Sequence, residues 1–165
     1  MLNLNKLFQM QRDLDQTIEE KNNLLTDDLF ERKVFAFIVE MAELANETRC
    51  FKFWSQKGPS EKQVLLEEYV DGVHFLLSIG IEKNFDSIEI DWEKVKKGTS
   101  SLTTHFLKIN EDVLQYRSAP TIETYSQLCY SYFELAHLLN FTLQEVEQAY
   151  LKKNEINYQR QESGY

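Results

Sequence analysis

The stretch from Phe30 to Glu47 reads FERKVFAFIVEMAELANE, and it decides the fold class. Its apolar residues recur at the three- and four-residue spacing of an α-helix. At roughly 100° per residue, Glu40, Glu43 and Glu47 fall within an arc of about 60° on that helix. The stretch therefore predicts one long helix that carries a stripe of acids among apolar neighbours.

A second acidic pair follows in the segment EEYVDGVHFLL, residues 67–77, where Glu68 and Asp71 are one helical turn apart. Burying unpaired carboxylates costs several kcal/mol, and neither helix places a lysine or arginine three or four residues from these acids. A hard divalent cation such as Mg²⁺ balances carboxylate charge and needs few protein ligands. If the two helices are antiparallel, Glu40 and Glu43 face the second pair, and the four acids form a metal site.

The helical period continues through the rest of the chain, which has only 5 Gly and 2 Pro and no β-hairpin signal. Helices are predicted at about residues 3–21, 29–48, 60–81, 102–117, 121–140 and 142–162. Residues 26–28 offer N-caps for the second helix; Ser60 with Gln63, and Thr142 with Glu145, form capping boxes. We therefore predict a single all-α domain over residues 1–165, a bundle of about six helices whose four-helix core carries the metal site.

The composition limits the classes of partner. The 165 residues include 27 acidic and 18 basic side chains, a formal charge of -9, which argues against a general nucleic-acid binder. The chain has no apolar run long enough to span a bilayer, no signal peptide, and only two cysteines. We expect a soluble cytoplasmic protein with no membrane partner. Apolar character on more than one face of several helices, as in residues 75–79 and 128–139, predicts a homodimer.

Four motifs together resemble a known enzyme family. Glu40-x-x-Glu43 and Glu68-x-x-Asp71, separated by 24 residues, resemble the E-x-x-E…E-x-x-D signature of the all-α nucleoside triphosphate pyrophosphatases, the MazG-like superfamily. Within it, three further motifs resemble those of the dimeric dUTP pyrophosphatases (dUTPases). These are His74-Phe75 after the second acidic pair, CFKFWSQK at residues 50–57, and KNEINYQRQESGY at residues 153–165, which fits K-x-x-x-N-x-x-R-Q-x-x-G-Y.

The resemblance implies a nucleotide diphosphatase that hydrolyses dUTP, and dUDP, to dUMP by metal-activated water, which limits uracil in DNA and supplies dUMP. Glu40, Glu43, Glu68 and Asp71 would hold about two or three Mg²⁺ ions, and Glu40 or Glu43 would be the catalytic base, with Glu40 our choice. The implied substrate-binding residues are Gln11, Asp15, Lys52, Trp54, Lys57, His74, Phe75, Lys153, Asn157, Arg160 and Tyr165.

Two departures from the family pattern leave the base preference open. Ser55 stands where the family has its second loop lysine, with Lys57 displaced, and Asp15 replaces the asparagine of a Q-x-x-L-N base-reading motif. A carboxylate at position 15 would accept hydrogen bonds from the donor groups at the edge of a nucleobase. The alternatives are a related all-α pyrophosphatase acting on dCTP or another nucleotide, and a non-catalytic helical interaction module with the acids as surface charge.

Overall fold

The computed structural model describes residues 2–95 and 100–164, and within these ranges it contains six helices and no β-strand. The helices are α1 (Leu4–Lys21), α2 (Phe30–Thr48), α3 (Lys62–Ile81), α4 (Leu102–Ser118), α5 (Ile122–Leu138) and α6 (Leu143–Glu162). Each end lies within about two residues of its predicted position, the usual uncertainty of a helix boundary. The prediction of an all-α bundle is confirmed.

The start of α3 differs from its prediction. The helix begins at Lys62, its N-cap Glu61 makes no side-chain capping bond, and Gln63 donates a hydrogen bond to Glu67 instead. The Ser60 hydroxyl donates to the Glu47 carboxylate, and its amide donates to the Glu47 carbonyl at 3.0 Å. The predicted Ser60–Gln63 capping box is therefore wrong, because Ser60 ties the α2–α3 loop back to α2 rather than starting α3.

The other two predicted helix starts each have a side-chain hydrogen bond, but only α6 has a side-chain N-cap. At α6, Thr142 and Glu145 form the reciprocal capping box, with the Glu145 amide donating to the Thr142 hydroxyl at 3.1 Å. At α2 the cap residue is Leu29, which has no capping side chain, but the Asp28 carboxylate accepts from the Phe30 amide at 3.0 Å. Local hydrogen bonding thus sets both ends where the sequence indicated.

Helix α3 is the centre of the bundle and contacts α1, α2, α5 and α6. Twelve of its twenty residues are buried, so almost its whole circumference is covered by other helices. A helix enclosed in this way has little freedom to rotate or shift, because protein interiors are close-packed. Its functional side chains are therefore held at fixed positions relative to the neighbouring helices.

Two glycines allow α5 to approach α3 closely. A Cβ atom at Gly72 would lie 1.9 Å from the Tyr132 hydroxyl oxygen, and one at Gly80 would lie 2.2 Å from that of Tyr125. The Tyr132 hydroxyl donates to the Tyr69 carbonyl at 2.9 Å, and the Tyr69 hydroxyl donates to the Tyr132 carbonyl at 3.1 Å. Any side chain at either glycine would push these buried tyrosines off the helix backbone.

Large apolar side chains remain exposed where α2 lies beside α4. The two helices are antiparallel, since Glu31 pairs with Arg117 at one end and the Thr103 hydroxyl donates to the Cys50 carbonyl at the other. Between these contacts lies the α2–α4 apolar face, defined by the exposed side chains of Phe35, Val39, Leu107 and Leu114. None of the six described helices is long and apolar enough to cross a membrane.

Candidate active site

Three carboxylates converge where α2 packs against α3. Glu40, Glu68 and Asp71 each offer an oxygen atom, and these atoms all lie within 4.8 Å of one another. All three residues are partly buried, so the cluster is neither sealed in the core nor fully exposed to solvent. Carboxylate oxygens at this separation are suited to a hard divalent cation that keeps some of its water ligands. The predicted convergence of the two acidic pairs is therefore present for three of the four acids.

The carboxylates of the cluster repel one another, and this repulsion adds to the effect of burial on their pKa values. Burial and the nearby carboxylates of Asp71, Glu43 and Glu68 raise the pKa of Glu40 to about 7. Burial, together with Asp71 and Glu43, also raises the pKa of Glu68. Burial raises the pKa of Asp71, although hydrogen bonding to Lys153 opposes this rise. A divalent cation bound here would remove the repulsion, and the three residues therefore fit a metal ion.

Glu43, the fourth predicted acid, is outside the cluster of three among the described residues. Its side chain is exposed and borders a separate hollow, which it shares with Glu47 and Glu68. Its charge nevertheless contributes to the raised pKa values of Glu40 and Glu68. Glu68 belongs both to the cluster and to this hollow, so the acids form one continuous ridge. Metal binding by Glu43 stays a prediction.

Asp71 has a cationic partner from a distant part of the chain. The Lys153 ammonium, on α6, donates to the Asp71 carboxylate at 2.6 Å, and both side chains are mostly buried. The sequence argument found no base beside the acids on their own helices, and it missed a base supplied by another helix. Lys153 was predicted from the resemblance to bind substrate, and the structure places it in contact with the acid cluster.

A cavity of about 320 Å³ opens beside the cluster, lined by residues of α1, α2, α3 and α6. It has the size of a small-molecule site. Seven of the predicted substrate-binding residues line it, together with Glu40 and Asp71: Gln11, Asp15, His74, Phe75, Lys153, Asn157 and Arg160. Residues far apart in sequence thus meet in one place, with acids and cations along the same cavity.

A hydrogen-bond chain at one side of the cavity fixes the protonation of His74. The Gln11 side-chain nitrogen donates to the Asp15 carboxylate at 2.7 Å, so its oxygen faces the other way. That oxygen accepts from the Tyr150 hydroxyl at 2.9 Å and lies 2.7 Å from His74 Nδ1. Because the amide oxygen can only accept, Nδ1 must carry the hydrogen, and Nε2 of the neutral ring is an acceptor.

His74 Nε2 has no hydrogen-bond partner among the described residues, although the side chain is only 5% exposed. Burial and the charge of Lys153 lower the pKa of His74 to about 3, so the ring is neutral at physiological pH. The imidazole also stacks on the Tyr150 ring, with centroids 4.1 Å apart. A buried acceptor without a partner, in a residue that lines a cavity, is available to an N–H or O–H donor that enters the cavity.

Asp15 lines the cavity, but both of its oxygens already accept hydrogen bonds from protein groups. One accepts from Gln11, and the other accepts from the Ser78 hydroxyl and, at 3.2 Å, from Lys33. The sequence argument had assigned this acid to a donor edge of the nucleobase. Its contacts in the structure are to the chain itself, and direct contact with a base stays a prediction.

The predicted loop residues do not border the cavity. Lys52, Trp54 and Lys57 lie in the α2–α3 loop, and Trp54 is 65% exposed. The Lys52 ammonium donates to the Asn46 side chain at 2.5 Å, beside the hollow that contains Glu43. Substrate binding by these three residues stays a prediction, and Tyr165 lies outside the described residues.

Sequence reasoning missed two residues that shape this site, Tyr150 and Lys33. Tyr150 lies one helical turn before Lys153, so same-face spacing on α6 could have indicated it. Lys33 contacts acids that are 14, 18 and 49 residues away in the chain. No local pattern in the sequence signals such a contact.

Residues 3–165, nearly the whole chain, match the family described as dUTPase. No curated protein sequence matches the chain. This family match, on an all-α fold, defines a hydrolase that acts on the acid anhydride bonds of a nucleotide. The chain belongs to the dUTPase family, and the reaction it catalyses is the hydrolysis of dUTP.

Proposed function

We propose that the chain is a Mg²⁺-dependent enzyme that hydrolyses dUTP, and also dUDP, to dUMP in the cavity beside the acid cluster. It would thereby limit uracil in DNA and supply dUMP in the cytoplasm. One observation carries the proposal: the acid cluster and the unpartnered acceptor on His74 border the same cavity. The first suits a metal-bound phosphate chain, and the second suits a nucleobase with a ring N–H.

At the phosphate end, Glu40, Glu68 and Asp71 would hold the metal, with Glu43 completing a site for about two or three ions. Bound Mg²⁺ neutralises phosphate charge and lowers the pKa of water. Lys153 and Arg160 lie on the same cavity wall and supply positive charge to the phosphates. Lys153 would exchange its contact with Asp71 for one with the substrate when that acid takes its metal.

Glu40 is our choice for the general base. It borders the cavity, and one of its carboxylate oxygens lies within 4.8 Å of an oxygen of Glu68 and of Asp71. Burial and neighbouring carboxylates raise its pKa to about 7, and a base in this range accepts a proton effectively near neutral pH. Glu43 is exposed outside the cavity and is less well placed for that role.

At the base end, the acceptor on His74 would receive the N3–H of uracil. Cytosine has a lone pair at N3, so the same contact would set two acceptors against each other. Leaving a buried acceptor unpaired costs about 1–3 kcal/mol, or roughly 10- to 100-fold in discrimination. Phe75 lines the same cavity and offers an apolar surface to the ring.

A panel of deoxynucleoside triphosphates, assayed with Mg²⁺ and with excess chelator, tests the proposal. We expect turnover only with Mg²⁺, and kcat/KM for dUTP about 10- to 100-fold above that for dCTP. dUDP should also be converted to dUMP. Equal turnover of dUTP and dCTP would contradict the role of His74, and a preference for dCTP would favour the related pyrophosphatase. Full activity in chelator would contradict the metal site.

We also infer that the α2–α4 apolar face closes against a second copy of the chain. Phe35 is 67% exposed, and Val39 of the same face also borders the hollow that contains Glu43 and Glu68. The face therefore continues to the acid ridge, and a second copy would cover apolar surface next to the metal site. Apolar side chains exposed together in this way are typical of a subunit interface.

Phe35→Asp should convert the dimer to a monomer, because it would place a charge at the centre of a buried apolar contact. Sedimentation at micromolar concentration measures the change, and circular dichroism checks that the helices remain. Leu25→Asp is the matched control, since Leu25 is exposed but lies in the α1–α2 connection outside this face. A wild-type chain that sediments as a monomer would overturn the inference.

A further inference from the structure

Lys33 is a mostly buried lysine that the reaction does not use. Its side chain is 12% exposed, and its ammonium contacts Asp15 at 3.2 Å, Glu19 at 2.7 Å and Glu82 at 2.5 Å. Burial alone would lower the pKa of Lys33, but these carboxylates more than offset it and raise the pKa above its ordinary value. The lysine is therefore charged, and it joins α1 and α2 to the residue that follows α3.

Lys33 helps to hold Asp15 as a hydrogen-bond acceptor. Its ammonium and the Ser78 hydroxyl donate to one carboxyl oxygen of Asp15, and Gln11 donates to the other. With donors on both oxygens, Asp15 acts as an acceptor, so the Gln11 amide must turn its nitrogen toward Asp15 and its oxygen toward His74. The charge pair thus determines which way the Gln11 amide points.

The orientation of Gln11 in turn determines which nitrogen of His74 carries the hydrogen. With the amide oxygen facing Nδ1, the hydrogen is on Nδ1 and Nε2 is an acceptor. If the amide were reversed, its nitrogen would face Nδ1, the hydrogen would move to Nε2, and that atom would become a donor. A donor at Nε2 would oppose the N3–H of uracil and suit the N3 lone pair of cytosine.

We propose that Lys33 and Asp15 are positioning residues for base selection, which act through Gln11 to hold His74 with an acceptor toward the nucleobase. The proposal rests on the proposed function, since it assigns the source of the uracil preference at the same site. Asp15, which was expected to read the base itself, instead determines how another residue reads it. Neither Lys33 nor Asp15 has to touch the substrate for this role.

A double-mutant cycle with dUTP and dCTP tests the proposal. Lys33→Met and Asp15→Asn should each reduce the ratio of kcat/KM for dUTP to that for dCTP by about 10-fold, the effect of one mispaired buried group. The loss for dUTP should be mainly in KM. In Asp15→Asn alone, the Lys33 ammonium would hold the asparagine oxygen and leave the asparagine nitrogen facing Gln11. In the double variant no ammonium competes for that oxygen, which can accept from Gln11, so the ratio should recover. Lys108→Met is the matched control, because it removes a lysine that pairs with Glu134 away from the cavity.

The protonation of His74 gives a second measurement that needs neither metal nor substrate. Nitrogen NMR of the free protein distinguishes a protonated ring nitrogen from an unprotonated one, and His74→Gln assigns the signals among the three histidines. In wild type and the double variant we expect the hydrogen on Nδ1. In Lys33→Met it should shift partly or wholly to Nε2.

The outcomes separate this inference from the proposed function. A wild-type enzyme without a preference for dUTP would overturn the proposed uracil contact, while the NMR experiment would still test the hydrogen-bond chain. If the wild type prefers dUTP and Lys33→Met changes neither the preference nor the His74 signals, the positioning role is wrong. An equal loss of kcat/KM for both nucleotides, with unchanged His74 signals, would also overturn it, because that is the result of a purely structural role.

Discussion

Glu40→Gln is expected to reduce kcat for dUTP by about 10²- to 10⁴-fold, the range for removal of a general base. The substitution keeps the shape of the side chain but removes its ability to accept a proton and most of its affinity for a metal. Because Glu40 also lies in the acid cluster, Mg²⁺ binding should weaken as well. Steady-state kinetics with dUTP at saturating Mg²⁺ separates the loss in kcat from the weaker binding of metal.

The same substitution should stabilise the metal-free protein. The pKa of Glu40 is raised from 4.5 to about 7 on folding, so the folded protein holds this proton more tightly than the unfolded chain. The associated destabilisation is absent below about pH 4.5, grows as pH rises, and is complete above about pH 7. Without metal, the melting temperature of Glu40→Gln should exceed that of wild type by about 2–4 °C at pH 8, and by little at pH 5.

With Mg²⁺ the wild type should have the higher melting temperature, because Mg²⁺ binds the folded wild type more tightly than the folded variant. Calorimetric melting of both proteins at pH 5 and pH 8, with and without Mg²⁺, gives the difference in melting temperature under each of the four conditions. Glu93→Gln, at an exposed loop carboxylate, is the matched control and should change neither activity nor the pH dependence. Nearly wild-type kcat in Glu40→Gln would show that another acid is the base, with Glu43 the next candidate.

Asp71→Asn should lower kcat by about 10²- to 10³-fold, as expected for loss of one preorganised electrostatic contact. It removes a carboxylate oxygen from the acid cluster and also the partner of the Lys153 ammonium. Mg²⁺ affinity, measured by titration calorimetry without nucleotide, should fall by at least about 10-fold. Both the lower kcat and the weaker Mg²⁺ binding are expected from this one substitution, because Asp71 is a candidate metal ligand and also the hydrogen-bond partner of Lys153.

Asp27→Asn is the control for this experiment, since Asp27 is exposed in the connection before α2. It should leave Mg²⁺ affinity and kcat unchanged. If Asp71→Asn also leaves Mg²⁺ affinity unchanged, the acids are not a metal site.

The features predicted well from sequence are those set by local spacing. Helix ends follow from apolar periodicity and from capping residues such as Thr142, and these depend only on neighbours within about four residues. The acid cluster was also predictable, because E-x-x-E and E-x-x-D spacing places each pair on one helical face. A short connection between α2 and α3 is then enough to bring the two acidic pairs close together.

The features that sequence could not predict depend on packing between distant segments. Lys153 is 82 residues from Asp71, and His74 is 63 residues from Gln11. Such contacts depend on how α6 and α1 dock on α3, and periodicity gives the face of a helix but not its partner. The contacts of Asp15 with other parts of the chain could not be predicted for the same reason, since Lys33 lies on a different helix.

The burial of α3 on nearly all sides has a consequence for how a nucleotide enters and leaves. Its tyrosine contacts, such as Tyr132 over Gly72, can open only if the centre of the molecule unfolds, which makes this helix part of the most stable cooperative unit. The end of α6 around Arg160 also lines the cavity but buries no residue after Asn154, so it is the wall that can shift without disrupting the core. The helix that carries Glu68 and Asp71 is thus the rigid wall of the cavity, and a nucleotide of variable size would be accommodated by the opposite wall.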